Sequence, residues 1–251
     1  MKSEGSDWYK KIWSLDIKNQ SWTENTAKEV DFIIDKLSLK EGERILDLAC
    51  GYGRHSLELA RRGFEVVGVD ITKDYVDDAN ASAKTEGLPA SFILSDLREV
   101  SFMAEFDAVL NLADGAIGYL ENDAENLKIF DVIARALKSG GRSFIDIMSG
   151  DYADAHFPQK LWDNGENGVT LSLFEWDKAT RIMMYGQQDF AYGEPLEKRE
   201  FGGCPTRLYT KAEIAEIMRE RGLTLENAFC NYDGAPASSD GIQLMALSKK
   251  K

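Results

Sequence analysis

Residues 44–70, RILDLACGYGRHSLELARRGFEVVGVD, predict the centre of the fold. The apolar run 45–49 is short enough for a buried strand, and a turn containing Gly51 and Gly53 follows it. Apolar residues then recur at helical spacing, and a second apolar run ends in Asp70. The segment therefore predicts a strand, a glycine turn, a helix and a second strand that ends in an acid.

Each part of this unit has a chemical use. Glycines allow the backbone to approach a ligand closely, in conformations that other residues rarely adopt. The helix after the turn presents unpaired N–H groups and the positive end of its dipole. Asp70 can accept hydrogen bonds from both hydroxyls of a ribose. We expect the unit to bind an adenosine-containing ligand at the carboxyl ends of parallel strands.

Two cofactor classes are bound by units of this layout. A dinucleotide-binding unit requires G-x-G-x-x-G, and Ser56 stands at the third glycine position of that pattern. Asp47, just before the turn, would repel a pyrophosphate but attract a cation. The residues therefore favour a cationic cofactor without phosphate, and an NAD-dependent oxidoreductase stays an alternative.

The run 46–53, LDLACGYG, closely resembles the first motif of class I S-adenosylmethionine-dependent methyltransferases. Its continuation, GYGRHS at residues 51–56, is similar to the version in bacterial small-molecule methyltransferases of that superfamily. The resemblance implies an enzyme that uses S-adenosyl-L-methionine and transfers a methyl group to an N, O or C atom of a small-molecule acceptor. No pattern in the sequence requires a metal. A non-catalytic S-adenosylmethionine-binding protein is a second alternative.

The bulk composition limits the partners and the location. The chain has 251 residues and a net charge of −13, which argues against a groove for nucleic acid. No apolar run approaches the length of a membrane span, and the N-terminus lacks the apolar core of a signal peptide. Three widely spaced cysteines fit a reducing compartment. We expect a cytoplasmic protein that binds neither nucleic acid nor membranes.

The hydrophobic pattern predicts an α/β fold with a doubly wound, mostly parallel, seven-stranded sheet. Strands are predicted at residues 45–49, 66–69, 91–94, 106–112, 142–148, 223–232 and 242–248. Besides the helix after the glycine turn, helices are predicted at residues 23–37, 73–86, 122–138 and 210–222. A terminal antiparallel pair after five parallel strands also resembles the Rossmann-like core of class I methyltransferases.

The pattern changes near Ser149. Residues 169–176 and 181–189 are predicted as antiparallel strands, and residues 196–201 as a possible third. They form an antiparallel β insertion after the fifth strand of the core. The predicted divisions are an N-terminal cap segment at 1–22, an S-adenosylmethionine-binding core at 23–150, the insertion over the acceptor site at 151–207, and a C-terminal helix with an antiparallel strand pair at 208–251.

The resemblance assigns the first set of cofactor contacts. Asp47, Gly51 and Gly53 would contact the methionine end of the cofactor. Asp70 would bind the ribose, and Ile71 would pack on the adenine face. The alternatives are a helix N-cap for Asp70 and a place in the core for Ile71.

Two later strand ends complete the cofactor contacts that the resemblance implies. Asp96 would accept a hydrogen bond from the adenine amino group, and the backbone N–H of Leu97 would bind a ring nitrogen. At Asn111 a backbone carbonyl would meet the cofactor's ammonium group. The alternatives are a helix cap for Asp96 and a strand-terminating role for Asn111.

The catalytic candidates lie in the loops after the fourth and fifth strands. Tyr119 stands where related small-molecule methyltransferases carry a tyrosine, and it would orient the acceptor. His156 follows the fifth strand, and we expect it to act as a general base. The alternatives are a half-buried aromatic residue, a structural histidine, and methyl transfer by positioning alone.

The N-terminal segment and the insertion supply the substrate-binding candidates. We expect Tyr9 and Trp13 to set acceptor choice together with the insertion. Arg207 and Tyr209 belong to a run, RLYT, that resembles a signature of the same enzymes and would line the acceptor pocket. They can equally lock the insertion to the core. The insertion can also form a homodimer interface through Val169, Leu171 and Leu173.

Overall fold

The computed structural model describes residues 1–164, 168–193, 195, 197 and 200–251. Within them, the helices are α1 (Thr26–Leu37), α2 (Arg54–Arg61), α3 (Lys73–Glu86), α4 (Asp123–Ala136), α5 (Gly150–His156) and α6 (Lys211–Glu220). The strands are β1 (Lys2–Ser3), β2 (Arg44–Leu48), β3 (Glu65–Asp70), β4 (Ala90–Leu94), β5 (Phe106–Asn111), β6 (Leu137–Met148), β7 (Gln159–Asn164), β8 (Gly168–Asp177), β9 (Ile182–Ala191), β10 (Gly202–Arg207), β11 (Leu223–Phe229) and β12 (Gln243–Lys250). Short 3₁₀ turns lie at Trp8–Lys10, Leu15–Asn19, Ser21–Asn25 and Leu97–Glu99.

A seven-stranded sheet with the order β11-β12-β6-β5-β2-β3-β4 forms the core. The strands β6, β5, β2, β3 and β4 pair in parallel, and β12 runs antiparallel to both of its neighbours. The predicted fold class, a mostly parallel doubly wound sheet with an antiparallel end, is confirmed. Because the order reverses beside β2, the carboxyl ends of β2 and β5 flank a crevice in which such sheets bind ligands.

Alternating side chains bury both faces of this sheet. Leu46 and Leu48 of β2 pack with α4 and α6, whereas Ile45 packs with α1 and α2 on the opposite face. A central parallel strand covered on both sides is apolar at nearly every position. Asp47 is therefore exceptional, since it is a carboxylate at a buried position of such a strand.

Strand β6 begins at Leu137, earlier than the predicted residue 142. Helix α4 ends at Ala136 because Leu137 adopts an extended backbone and pairs with Phe106 on β5. The register of this pair shifts between Phe106 and Ala108, which accommodates the glycines that were predicted to separate helix and strand. The sequence pattern placed the boundary at the glycines, but strand pairing places it at Leu137.

The insertion forms a second sheet with the order β1-β10-β9-β8-β7. Its hairpin of β8 and β9 agrees with the two predicted antiparallel strands, with Phe174 opposite Tyr185. The third predicted strand, residues 196–201, includes 196, 198 and 199, which lie outside the described residues. The observed third strand, β10, begins at Gly202.

The N-terminal segment lies across both sheets. β1 pairs in parallel with β10, and the Trp8 indole donates a 3.0 Å hydrogen bond to the Pro205 carbonyl. On the core side, the Tyr75 hydroxyl of α3 donates to the Ser14 carbonyl at 2.9 Å. None of the helices formed by the described residues combines the length and the apolar character that a membrane crossing requires.

Candidate active site

A pocket of about 1000 Å³, counted with the solvent at its mouth, opens beside the carboxyl ends of β2, β3 and β5. The turn after β2, the end of β3 and the loop after β5 form its wall together with the N-terminal segment. The predicted site residues in this wall are Tyr9, Trp13, Asp47, Gly51, Asp70, Ile71, Asp96, Leu97 and Tyr119.

Asp47 and Ser56 form a buried pair at the base of the glycine turn. Asp47 is 2% exposed, and the hydroxyl of the fully buried Ser56 donates to its Oδ2 at 2.6 Å. Burial raises the pKa of Asp47 to about 7, the Ser56 hydrogen bond partly offsets this, and the charge of Asp70 adds to it. The serine at the third glycine position thus has a structural purpose, because it binds this carboxylate.

Asp70 fixes the glycine turn from the end of β3. Its Oδ2 accepts from the Gly51 N–H at 2.8 Å, and its Oδ1 accepts from the Thr72 N–H at 2.8 Å. Burial raises the pKa of Asp70, and the Thr72 and Gly51 amides partly offset that rise. The carboxylate therefore supports the start of α3 and also lines the pocket, where its remaining lone pairs can accept from ribose hydroxyls.

The side chain of Arg98, two residues later, holds Asp96 in place. It caps the 3₁₀ turn after β4 by accepting from the Arg98 N–H at 2.9 Å, and its two oxygens also accept from the Arg98 guanidinium at 2.9 and 2.6 Å. These hydrogen bonds lower the pKa of Asp96. Arg98 pairs further with Glu121 and Glu125. Asp96 thus serves as a cap and, with Leu97, lies in the pocket wall.

Gly53 does not lie in the pocket wall, contrary to its predicted contact with the cofactor. Its φ is +79°, and a Cβ at this position would lie 2.8 Å from Cε1 of Phe92 and 3.2 Å from Cβ of Ala79. The position requires glycine because α2 starts directly against these side chains. Its role is close packing behind the turn.

The side chain of Asn111 also lies outside the pocket wall. It is fully buried, and its Nδ2 donates to the carbonyls of Leu48, at 2.8 Å, and Gly115. It therefore ties the end of β2 to the loop after β5. Leu112 and the residues that follow it line the pocket in its place.

The loop after β5 is strained where it lines the pocket. Ala113, Asp114 and Ala116 have φ of 51°, 60° and 67°, a region that residues other than glycine seldom adopt. Such strain clusters at functional sites. Burial raises the pKa of Asp114 to about 6, although hydrogen bonds from the Met148 backbone and the Gln243 side chain partly offset it.

Aromatic rings from the N-terminal segment cover the pocket. Tyr9 and Trp13 line it, and the Tyr119 ring lies 4.7 Å from Trp8 and 6.4 Å from Trp13 between centroids. The Tyr9 hydroxyl donates to Glu121 at 2.9 Å, which fixes the segment on the core. Tyr119 also lines a second cavity of about 990 Å³ on its other side. The two cavities thus meet at this ring.

His156, the predicted general base, does not line the pocket. Ser149 caps the short helix α5, which carries His156 to a surface position where its side chain is 38% exposed. Its Nε2 lies 3.0 Å from the Ser239 carbonyl, and its ring stacks on Tyr152. The prediction rested on proximity to β6 in sequence, whereas the helix directs the side chain away from the carboxyl end of that strand.

Arg207 and Tyr209 likewise lie outside the pocket wall and join the insertion to the core. The Arg207 guanidinium pairs with Glu213 at 2.5 Å and lies 4.3 Å from the centre of the Tyr209 ring. The Tyr209 hydroxyl donates to Asp123 at 2.5 Å, and the residue is 1% exposed. The alternative role, locking the insertion, agrees with these contacts, and Arg207 also lines the second cavity.

Sequence reasoning missed Asp114, Tyr75 and Arg98. Asp114 carries no sequence signal, and only the folded backbone shows that it lies in the pocket wall. Tyr75 lines the pocket from the first turns of α3, with the spacing of an ordinary buried helix position. Arg98 has no local signal for its role, since two of its acidic partners come from a distant loop and helix.

The residues of this pocket fit S-adenosylmethionine. Two carboxylates, Asp47 and Asp70, lie beside the glycine turn, which suits a cationic ligand with a ribose. Ile71 and Leu97 supply apolar surface for a base. Among the described residues, no group of three or more His, Cys, Asp or Glu side chains is arranged to hold a metal ion.

The buried acids predict that the free protein becomes more stable as the pH falls from 8 to 6.5. The pKa values of Asp47 and Asp146 are raised to about 7, so the folded state takes up protons in this window while the unfolded chain, with pKa near 3.8, does not. Burial lowers the pKa of His55, so this residue takes up a proton more readily in the unfolded chain and opposes the trend. Its effect falls mainly below pH 6.5, the ordinary pKa of histidine. We expect the free energy of unfolding, measured with urea, to rise by about 1 kcal/mol between pH 8 and pH 6.5. If the free energy of unfolding instead falls as the pH is lowered from 8 to 6.5, the raised pKa values of Asp47 and Asp146 are contradicted.

Comparisons with known proteins agree with this geometry. Residues 45–141 match the profile of a family described as "Methyltransferase domain". The cypemycin N-terminal methyltransferase of Streptomyces sp is 31% identical over 228 residues, which cover 84% of each chain. YqeM of Bacillus subtilis (strain 168) is 26% identical over 220 residues, covering 85% of this chain and 86% of YqeM.

A solved structure shows the same fold over nearly the whole chain. It is an S-adenosylmethionine-dependent methyltransferase from Clostridium acetobutylicum ATCC 824, with a TM-score of 0.75 and 19% identity. The match covers 93% of this chain and 96% of that one. The family profile and the relative above 30% identity establish the class of enzyme. The chain belongs to the S-adenosylmethionine-dependent methyltransferases.

Proposed function

We propose that the pocket binds S-adenosylmethionine between the glycine turn and the ends of β3 and β4, and methylates a small molecule. The observation that carries the proposal is the Asp70 carboxylate, which holds the Gly51 amide while lining the pocket. Asp47 would face the methionine end, Asp70 the ribose, and Asp96 with Leu97 the base. The bound cofactor supplies an electrophilic methyl group on a sulfonium.

The protein's own contribution is to position the acceptor and to exclude water. Tyr9, Trp13 and Tyr119 cover the pocket with apolar surface, so the reacting groups meet away from bulk solvent. Asn126 fixes the loop that carries Tyr119, because its Oδ1 accepts from the Gly118 and Leu120 amides at 3.0 Å each. Tyr119 is the residue that we propose to orient the acceptor.

The covered pocket favours a small-molecule acceptor. The N-terminal segment crosses the pocket mouth, held on the core by the Tyr75–Ser14 and Tyr9–Glu121 hydrogen bonds. A macromolecule would have to displace these contacts, whereas a small molecule can enter through the second cavity beside Tyr119. The net charge of −13 is also unfavourable for nucleic acid.

We expect S-adenosylmethionine and S-adenosylhomocysteine to bind with one site per chain, and NAD not to bind. Asp47 attracts the ammonium group of both ligands and the sulfonium of S-adenosylmethionine, but it repels the phosphates of NAD. Isothermal titration with each ligand measures this directly. Binding of NAD without S-adenosylmethionine would refute the assignment of the pocket.

The location and the assembly are further proposals. The three cysteines, Cys50, Cys204 and Cys230, are free, which supports a reducing, cytoplasmic environment. A homodimer through the half-buried strand β8, with Val169, Leu171 and Leu173, is tested by light scattering of the wild type and of a triple serine variant.

A further inference from the structure

The pocket has a further acidic position, on the loop after β5. Asp114 lines the pocket from the loop after β5, and its Oδ1 is buried and accepts no hydrogen bond among the described residues. Oδ1 of Asp146 and Oε1 of Gln243 are likewise buried without a donor. The Asp114 N–H donates to the Asp146 carbonyl at 2.9 Å, which places the two acids side by side. Of these three residues only Asp114 lines the pocket, so the pocket wall carries one carboxylate oxygen that lacks a donor.

Aromatic rings form the adjoining wall. Tyr119 follows Asp114 in the same loop, and the charge of Asp114 contributes, after burial, to the raised pKa of the Tyr119 hydroxyl. Trp13 and Tyr119 both line the pocket with their rings 6.4 Å apart at an interplanar angle of 22°. Aromatic faces attract cations, and an ionised carboxylate beside them adds a hydrogen-bond acceptor. Together these groups are suited to an alkylammonium ion.

We propose that the acceptor is an amine, bound as its ammonium ion between the Asp114 carboxylate and the rings of Trp13 and Tyr119. The proposal rests on the proposed function of the pocket and narrows its acceptor atom to nitrogen. The cofactor's own cationic groups would face Asp47, and its ribose would face Asp70, both beside the glycine turn.

The chemistry of an amine acceptor agrees with this placement. An ammonium ion must give up one proton before its nitrogen can attack, and Asp114 is the ionised group placed to take it. The nitrogen lone pair then forms the N–C bond as the S–C bond breaks, and the electron pair of that bond stays on sulfur as a neutral thioether. The product nitrogen carries the positive charge, so the rings stabilise the charge that develops, and so does Asp114 once it has released the proton to solvent.

The test compares two molecules of nearly equal shape that differ in charge. Choline and 3,3-dimethyl-1-butanol are titrated into the protein saturated with S-adenosylhomocysteine, which fills the cofactor end of the pocket. We expect choline to bind about tenfold more tightly than the alcohol. Asp114→Asn should remove most of this preference, while Asp74→Asn, which removes a charge from an exposed position of α3, should leave it intact.

Two further measurements separate the possible failures. If Asp114 instead holds the ammonium of the cofactor, Asp114→Asn will weaken S-adenosylhomocysteine itself, and the proposal is wrong. Should Asp114→Asn fail to fold, Trp13→Leu provides the second variant, and it should lower choline affinity several-fold without affecting the alcohol. Equal binding of both probes by wild-type protein overturns the amine proposal alone. Failure to bind S-adenosylhomocysteine overturns the proposed function instead.

Discussion

Asp70→Asn is expected to weaken S-adenosylmethionine binding about 100-fold, the largest effect on affinity that the site predicts. The carboxylate accepts from the Gly51 and Thr72 amides with separate oxygens. An asparagine has one acceptor oxygen, so one of these amides would face an NH₂ group, and the ribose would lose a charged acceptor. Isothermal titration measures the change.

The fold should tolerate this substitution better than the site does. Burial raises the pKa of Asp70, which means that the ionised carboxylate is itself costly to bury. We therefore expect the urea midpoint of Asp70→Asn to change little beside the loss of affinity. Asp74→Asn, four positions along the chain and exposed, is the matched control for charge. An affinity within threefold of wild type would place the ribose contact elsewhere.

Gly53→Ala is expected to destabilise the protein by about 2–4 kcal/mol, the largest effect on stability. The new methyl group combines two costs, since φ is +79° and Cβ would lie 2.8 Å from the Phe92 ring. Phe92 is 6% exposed and packed against α2 and α3, so its ring has little room to move. Urea unfolding gives the change in free energy.

Two other glycines separate these costs. Gly87 has a φ of +66°, and a Cβ added there would have no atom within 4 Å. Gly87→Ala should therefore cost about 1 kcal/mol of stability from backbone conformation alone. Gly68 has no positive φ, but a Cβ added there would lie 2.5 Å from the Phe92 ring. Gly68→Ala should therefore cost about 1–3 kcal/mol of stability from overpacking alone. If Gly53→Ala costs no more than Gly87→Ala, the close approach of Phe92 is not what requires glycine there.

The cofactor half of the site was predictable because its determinants are local. Asp47, Gly51 and Asp70 lie within one βαβ unit, and parallel strands bring their carboxyl ends together whatever the rest of the chain does. The same local pattern could not distinguish Gly51, which lines the pocket, from Gly53, which packs against Phe92. That distinction depends on a side chain from β4.

The acceptor half depends on contacts between distant segments. His156 looked well placed because it follows β6, yet it lies at the end of the short helix α5, which Ser149 caps, with its side chain at the surface. Asp114 gave no signal, since its φ of 60° is enforced by tertiary packing and not by glycine. Tyr9 and Trp13 were identified from their aromatic character, and their position over the pocket follows from contacts of the N-terminal segment with Pro205 and α3.

The parallel pairing of β1 with β10 has a consequence for the order of folding. Lys2 lies opposite Gly202, and Ser3 opposite Gly203, so the first strand of the chain finds its partner only after the ribosome has made five of the seven core strands and most of the insertion. Closing so long a loop is entropically costly and slow. The nascent enzyme should therefore form the strands of its cofactor wall early, and the pairing that joins its N-terminal segment to the insertion should form late.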